Sequence, residues 1–154
     1  MNIEKKTLPE QHYIYVDRES PMGPEIAEAM GSGFGEVFGF VAQAGITPLS
    51  MPMTLYTAMP SGSTMTFRAG VIVSAEDAAK ASGNVKAATI PAGEAVTATH
   101  VGPYTNMNVT HQSLWAHCDE KGYTKAMPVW EVYVDDPGEV PEAELRTEIY
   151  RAVS

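Results

Sequence analysis

Two carboxylates and two phenols lie on the two strands that the sequence predicts near its end, over residues 129–134 and 145–153. Because side chains alternate across a strand, each predicted strand places one carboxylate and one phenol on the same face. These four side chains are Glu131, Tyr133, Glu148 and Tyr150. The break at Asp135-Asp136-Pro137-Gly138 predicts a hairpin, and we expect the four side chains to share one surface.

Such a surface has two interpretations. Carboxylates flanked by aromatic rings can bind a cation, because charge pairing and cation–π attraction act together. Carboxylates are also mostly exposed to water, so a solvated sheet face has the same pattern. Alternation places Trp130 on the opposite, apolar face of its strand, toward the core, although near a groove edge it can still contact a ligand.

The elements that must position these residues repeat along the chain. A strand, a helix with apolar residues at helical spacing, and a strand pair are predicted over residues 12–16, 25–44, 53–58 and 65–74. A second such series follows over residues 85–100 (broken near 91–93), about 105–121, and the hairpin described above. The sequence therefore predicts an α+β fold of two pseudo-symmetric strand–helix–strand–strand modules, at about 11–75 and 84–153, after a flexible tail at 1–10.

The two modules align at a constant offset but differ at the residues that could bind a ligand. The aligned pairs are Gly45 with Gly122, Met53 with Trp130, Thr54 with Glu131, and Tyr56 with Tyr133. The glycines stand where helices end. Clefts between such modules are common ligand sites, so we expect a central groove. The carboxylate occurs in one module, which favours a single site, with Tyr56 and Met53 contributed by the other.

Composition excludes several classes of function. The net charge is −9, which argues against direct binding of nucleic acid, where basic side chains neutralise phosphates. No apolar run is long enough to span a membrane, and the single cysteine is typical of a reducing compartment, so we expect a cytoplasmic protein.

Three other patterns have structural explanations. His111 and Cys118 share the apolar stripe of the second helix, and we interpret them as packed residues rather than metal ligands, with no cofactor expected. His100 precedes a Gly-Pro turn, where it serves the turn or lies at the groove rim. Gly31, Gly35 and Gly39 recur on the first helix and predict close approach of another element.

Four segments together resemble a known family: HVGPY (100–104), the run from 122 to 150, the run from 20 to 46, and MPMTLY (51–56). They are similar in content and order to the GyrI-like small-molecule-binding domain, which is also the effector-binding domain of AraC- and MerR-type multidrug regulators. The resemblance covers about residues 10–153. It implies the two-module α+β fold with a central groove that binds lipophilic, often cationic, aromatic compounds.

By motif, the resemblance implies that Glu131 neutralises the ligand's charge, with Glu148 as the second choice, among Tyr133, Tyr56, Tyr150, Trp130 and Met53. The favoured function is that of a stand-alone binding protein. Some family members are hydrolases of strained, cyclopropane-containing genotoxic natural products, and Glu131 would then be the general base. Others bind DNA gyrase, so gyrase or a separate regulator is an implied partner. We expect no helix-turn-helix here, because the repeat begins within about ten residues of the start.

Overall fold

The chain divides into two compact units in the computed structural model, which describes residues 2–21, 25–57, 63–136 and 138–154. The first unit is Glu10–Pro91, and the second unit is Met1–Pro9 with Ala92–Ser154. The turn predicted at residues 60–63 lies largely outside the described residues. The elements in chain order are β1 (Glu4–Leu8), β2 (Gln11–Pro21), α1 (Glu25–Ala44), β3 (Met53–Tyr56), β4 (Thr64–Val73), α2 (Ala75–Ala78), β5 (Lys86–Ile90), β6 (Gly93–Val101), α3 (Met107–Lys121), β7 (Lys125–Tyr133) and β8 (Arg146–Val153).

Each unit contains the predicted strand–helix–strand–strand series and one additional strand. In the first unit the strands lie in the order β3-β4-β2-β5, and in the second unit in the order β7-β8-β6-β1. All pairs described within each unit are antiparallel. The α+β fold and its internal repeat are confirmed, and in both units the last strand of the series lies between the other two.

Strand β1 corrects the expectation of a flexible tail. Its residues Glu4–Leu8 pair with Gly93–Thr97 of β6. The segment reads EKKTL, and four of its five side chains are exposed. Main-chain hydrogen bonds to the edge of β6, rather than burial of an apolar face, therefore hold this strand in place, because an edge leaves its N–H and C=O groups unpaired.

The core of the first unit forms where α1 covers one face of its strands. Ile14 and Val16 of β2 pack with Phe67 and Val71 of β4 beneath Val37 of the helix. The helix predicted over 25–44 is confirmed, and Gly45 follows it with a positive φ of 68°. That left-handed conformation suits a glycine at a helix end.

In the second unit, α3 covers the corresponding face. Its core joins Val96 and Ala98 of β6 and Ile149 of β8 to Leu114 and Cys118 of the helix. The helix begins at Met107 after a short 3-10 turn over Tyr104–Asn106, slightly later than predicted. Among the described residues, no helix combines the length and apolarity needed to cross a membrane.

The close approach predicted at the glycines of α1 occurs at a different glycine. A Cβ placed on Gly31, Gly35 or Gly39 would meet nothing within 4 Å. A Cβ on Gly33 would lie 2.6 Å from the Cβ of Ala69 on β4, closer than real Cβ atoms come. Gly33 thus allows the helix to lie directly on the strand, whereas the other three glycines face away from it.

We expect Gly33→Ala to destabilise the protein by about 1–2 kcal/mol, because the strand or helix must shift to relieve the contact with Ala69. Gly35→Ala, two residues along the same helix, should instead be neutral or stabilise by up to about 1 kcal/mol, since alanine favours the helix and meets no neighbour. Urea unfolding of both variants measures the difference. Equal effects of the two substitutions would contradict the packing described for Gly33.

Candidate functional site

The register of the hairpin separates the side chains that were expected on one surface. Glu131 of β7 lies opposite Ile149 of β8, and Val132 lies opposite Glu148. Directly opposed residues of an antiparallel pair project to the same face. Glu131 and Tyr133 therefore share the face of Ile149, which α3 covers, and Glu148 lies on the other face. The expected single surface is wrong.

Tyr150 also lies on the face away from α3, where its ring stacks on that of Trp130. The two ring centroids are 5.1 Å apart and the planes differ by 7°. Burial raises the pKa of the Tyr150 phenol, and the charge of Glu148 adds to the effect. Only 2% of Trp130 is exposed, so the residue is buried, but on the face of β7 away from α3 rather than on the face that the helix covers.

Glu131 forms the most buried carboxylate contact of the second unit. Its side chain is 6% exposed, and its Oε2 lies 2.6 Å from Nε2 of His111 on α3. The hydroxyl of Tyr133 donates to Oε1 at 2.9 Å. An ionised carboxylate only accepts hydrogen bonds, so Nε2 of His111 is the donor when Glu131 is charged. Both oxygens of the carboxylate thus have donors.

These hydrogen bonds account for a charge in this position. Removing a carboxylate from water costs several kcal/mol even after the protein relaxes. A hydrogen bond to a charged group contributes about 1.5–3 kcal/mol. The contacts from His111 on the helix and from Tyr133 on the same strand are therefore of the size needed to offset most of that cost.

Tyr104 extends the aromatic surroundings of this carboxylate. Its ring meets that of Tyr133 edge to face, with centroids 5.5 Å apart. Burial raises the pKa of the Tyr104 phenol, and the charges of Asp135 and Asp136 raise it further. The ring lies in the 3-10 turn that precedes α3, and 38% of Tyr104 is exposed.

His100 holds that turn. The carbonyl of Pro103 can only accept, so Nε2 of His100 donates to it at 3.0 Å. Nδ1 of the same ring lies 2.6 Å from Oγ1 of Thr110 on α3. His100, which is 6% exposed, therefore connects the end of β6 to the turn and the helix. Two roles were predicted for His100, in the turn or at the groove rim, and these contacts are those of a residue that stabilises the turn.

His111 and Tyr104 are the site residues that the sequence analysis did not select. His111 was interpreted as a packed histidine because it shares the apolar stripe of the helix, and its Nε2 in fact contacts Glu131. Tyr104 lies within the HVGPY segment that contributes to the family resemblance. Their positions were available from the sequence, but the pairing of His111 with Glu131 was not.

A buried cation lies on the same face as Glu131. Arg151 of β8 is two residues beyond Ile149, so it is the diagonal neighbour of Glu131 across the hairpin, and 5% of it is exposed. Its guanidinium carbon lies 4.4 Å from the ring centroid of Trp115, which is one helical turn after His111. Burial lowers the pKa of Arg151.

The contacts of Arg151 are fewer than those of Glu131. Within the described ranges, its Nε has no hydrogen-bond partner and its guanidinium has no ion pair. A desolvated cation–π contact contributes about 2 kcal/mol. Burial of an ion costs several kcal/mol. The ring of Trp115 alone therefore leaves much of the cost of this charge without compensation.

The remaining predicted residues, Met53 and Tyr56, belong to the first unit. Met53 lies opposite Gly70, and Thr54 lies opposite Ala69. Alternation then places Tyr56 on the α1 side, where its ring is 6.5 Å from that of Phe67, and Met53 on the other face with no exposed surface. The two residues therefore lie on opposite faces of β3.

The described residues contain no group of three or more histidine, cysteine, aspartate or glutamate side chains that could hold a metal ion. Cys118 is buried in the core of the second unit, and burial raises the pKa of its thiol. Its chemistry is that of a packed residue.

Comparison with known proteins gives one family and several similar structures. The family model of the GyrI-like small molecule binding domain matches residues 1–154. No curated protein sequence matches the chain. The crystal structure of the EcmrR C-terminal domain is 25% identical with a TM-score of 0.83, and the match covers 99% of this chain and 97% of that one. In a structure of the EcmrR–DNA complex, the chain matches 57% of the EcmrR chain.

Two more distant structures share the fold. A hydrolase from Listeria innocua is 18% identical with a TM-score of 0.67, and the match covers 99% of this chain and 91% of that chain. The structure of SAV2435 bound to tetraphenylphosphonium is 15% identical with a TM-score of 0.66, and the match covers 100% of this chain and 94% of that chain. At these identities the likeness concerns the fold.

The contact between His111 and Glu131 predicts an energetic coupling. We expect His111→Leu to destabilise the protein by about 1–3 kcal/mol, because the buried carboxylate loses a donor. With Glu131→Gln already present, the same substitution should cost at least about 1 kcal/mol less, since no charge remains to be stabilised. Urea unfolding of the two single variants and the double variant measures the coupling. Strictly additive effects would show that the hydrogen bond contributes nothing.

Proposed function

Since the chain belongs to the family of GyrI-like small-molecule-binding domains, we propose that it binds lipophilic cations through the carboxylate of Glu131. The observation that carries the proposal is the buried position of this carboxylate on the α3 face, held by His111 and Tyr133. A ligand cation would take over part of the charge compensation that the two donors provide. Apolar burial of the ligand would supply most of the remaining affinity.

The aromatic rings around Glu131 support a cationic ligand. Tyr133 donates to the carboxylate, and its ring contacts that of Tyr104, which is partly exposed. The faces of phenol rings attract cations by about 0.5–2 kcal/mol each, more as water is removed. Such contacts tolerate ligands of different shape, which is typical of promiscuous binding. Tyr56 and Met53 remain predicted ligand residues of the first unit.

Two further observations agree with this proposal. SAV2435, which shares the fold, has been determined with the lipophilic cation tetraphenylphosphonium bound. The net charge of −9 favours the approach of a cation, since the field of the whole protein raises the local concentration of the opposite charge. Neither depends on the contacts of Glu131, so they support the ligand class independently.

We expect tetraphenylphosphonium to bind at micromolar concentration and Glu131→Gln to weaken the binding by about 1.5–3 kcal/mol, the value of a charged contact. Glutamine keeps the shape of the side chain and removes its charge. Glu148→Gln is the matched control, because it removes a carboxylate from the neighbouring strand on the opposite face. Calorimetric titration of the three proteins measures the affinities.

Equal binding by the wild type and Glu131→Gln would exclude Glu131 as the anchor. A larger loss in Glu148→Gln than in Glu131→Gln would move the ligand to the other face of the hairpin. Loss of affinity in both variants by the same factor would indicate a general electrostatic attraction instead of a specific contact. The proposal requires the loss to be confined to Glu131→Gln.

A hydrolase of strained cyclopropanes is the second candidate, and the contact between His111 and Glu131 favours it. When Nε2 of His111 donates to Glu131, its Nδ1 keeps a lone pair that can accept a proton. Water would then attack a ring carbon and form a C–O bond as a cyclopropane C–C bond breaks. In a substrate whose cyclopropane is conjugated to a carbonyl group, the electron pair would pass to the carbonyl oxygen. That oxygen would then receive the proton that His111 had taken from the water. Glu131 would act through His111 rather than directly as the base.

This candidate predicts product formation. A spirocyclopropyl-cyclohexadienone incubated with the protein should gain one water, seen by mass spectrometry, and His111→Leu should slow the reaction at least tenfold, because general-base catalysis contributes about 10²–10⁴-fold. Binding of the compound without its conversion would exclude the hydrolase candidate and leave binding as the function.

A further inference from the structure

Arg151 is a buried charge that the proposed cation site does not use. It lies under α3 on the same face as Glu131, with its guanidinium against the ring of Trp115. Buried arginines are normally paired with carboxylates or other acceptors. In the part of the chain that the structure describes, Arg151 has no such partner, and Nε is enclosed without an acceptor.

Trp115 has a second buried donor that lacks an acceptor. Its indole Nε1 is buried and also has no acceptor among the described residues. The ammonium of Lys125 lies 5.4 Å from the centroid of the same ring and pairs with Asp119 at 2.8 Å. The side chain of Asp119 is 70% exposed, so this carboxylate lies in solvent rather than between the donors. Two cationic groups therefore lie near one indole ring whose own N–H lacks an acceptor among the described residues.

We propose that Arg151 and Trp115, with Lys125 beside them, form a subsite for an oxyanion carried by a small aromatic molecule. The planar guanidinium matches the two oxygens of a carboxylate and can donate two parallel hydrogen bonds. An indole N–H is a donor only, so it also requires an acceptor when buried. A carboxylate supplies acceptors to both, and the indole ring offers a surface for an aromatic body.

The subsite is separate from the cation anchor but close to it. Glu131 and Arg151 are diagonal neighbours on one sheet face, a relation that places their backbones about 7–8 Å apart. Among the contacts of the described residues, Glu131 bonds to His111 and Tyr133, Arg151 packs on Trp115, and no ion pair joins the two charges. A ligand carrying both charges can therefore engage both residues, and a purely anionic ligand needs only Arg151.

The test uses two probes of nearly the same shape, the anion 2-naphthoate and the neutral 2-naphthamide. Titration of ¹⁵N-labelled protein is followed by the indole N–H signals, of which the chain has two. We expect naphthoate to shift the Trp115 signal saturably and to bind at least tenfold more tightly than naphthamide. The Trp130 signal, from the opposite face of β7, should stay in place, and Trp115→Phe assigns the two signals.

Two arginine variants locate the charge that recognises naphthoate. Arg151→Met should weaken naphthoate binding at least tenfold and leave naphthamide binding unchanged. Arg146→Met is the matched control, because it removes an exposed arginine of the same strand that pairs with Asp135. It should bind naphthoate as the wild type does. Arg151→Lys keeps the charge and should retain part of the preference.

Equal affinity of the wild type for naphthoate and naphthamide would overturn the subsite, and this comparison needs no variant to fold. Undiminished naphthoate binding by Arg151→Met would overturn it as well, and would assign Arg151 to packing against Trp115. Tetraphenylphosphonium is titrated into the same samples. If the wild type does not bind tetraphenylphosphonium but still prefers naphthoate to naphthamide, the proposed cation site is refuted and the oxyanion subsite is not.

Discussion

The hydrogen bonds that hold the carboxylate of Glu131 constrain the whole second unit. A buried carboxylate needs donors, and the two described here come from α3 and from β7 itself. The helix must therefore lie where His111 reaches the sheet, and His100 fixes the turn from which that helix begins. The hairpin must also keep the register that turns Glu131 toward the helix. Strand, turn and helix are thus tied to one polar contact.

The two charges on this face are compensated unequally. Glu131 accepts from an imidazole and a phenol, whereas Arg151 has an aromatic ring against its guanidinium. Both are more than nine-tenths buried. Because polar groups in a low-dielectric interior are costly when unpaired, the unequal contacts leave more of the cost of burial uncompensated at Arg151 than at Glu131.

Much of this fold could be predicted from the sequence, because its helices and most of its strands have clear periodicity. The helix over Glu25–Ala44 and the two-module repeat are examples. Strand β1 could not be predicted, since EKKTL lacks an apolar alternation and pairs through its backbone. Predicted boundaries also shifted: β2 extends to Pro21, beyond the short strand expected there.

The site could be predicted only in part, for a geometric reason. Alternation along a single strand assigns faces correctly, so Glu131 and Tyr133 were placed together. It does not give the phase of one strand relative to the next, and a shift of one residue reverses every side chain. The loop from Val134 to Leu145 is too long to fix that phase. The stacking of Trp130 on Tyr150 is consistent with the observed register, and no feature of the single sequence identified that pair in advance.

The pairing of β1 with β6 has a consequence for how the chain folds. The second unit contains both Met1–Pro9 and Ala92–Ser154, so the first unit is inserted within its sequence. During synthesis on the ribosome, the first unit can complete its contacts early, while Glu4–Leu8 must wait for Gly93–Thr97 to emerge. Closing so long a loop costs conformational entropy before the strand contacts form, and such non-local pairings slow folding. Strand β8 lies between β6 and β7 and follows both in the chain, so the second unit is completed only after β8 has emerged.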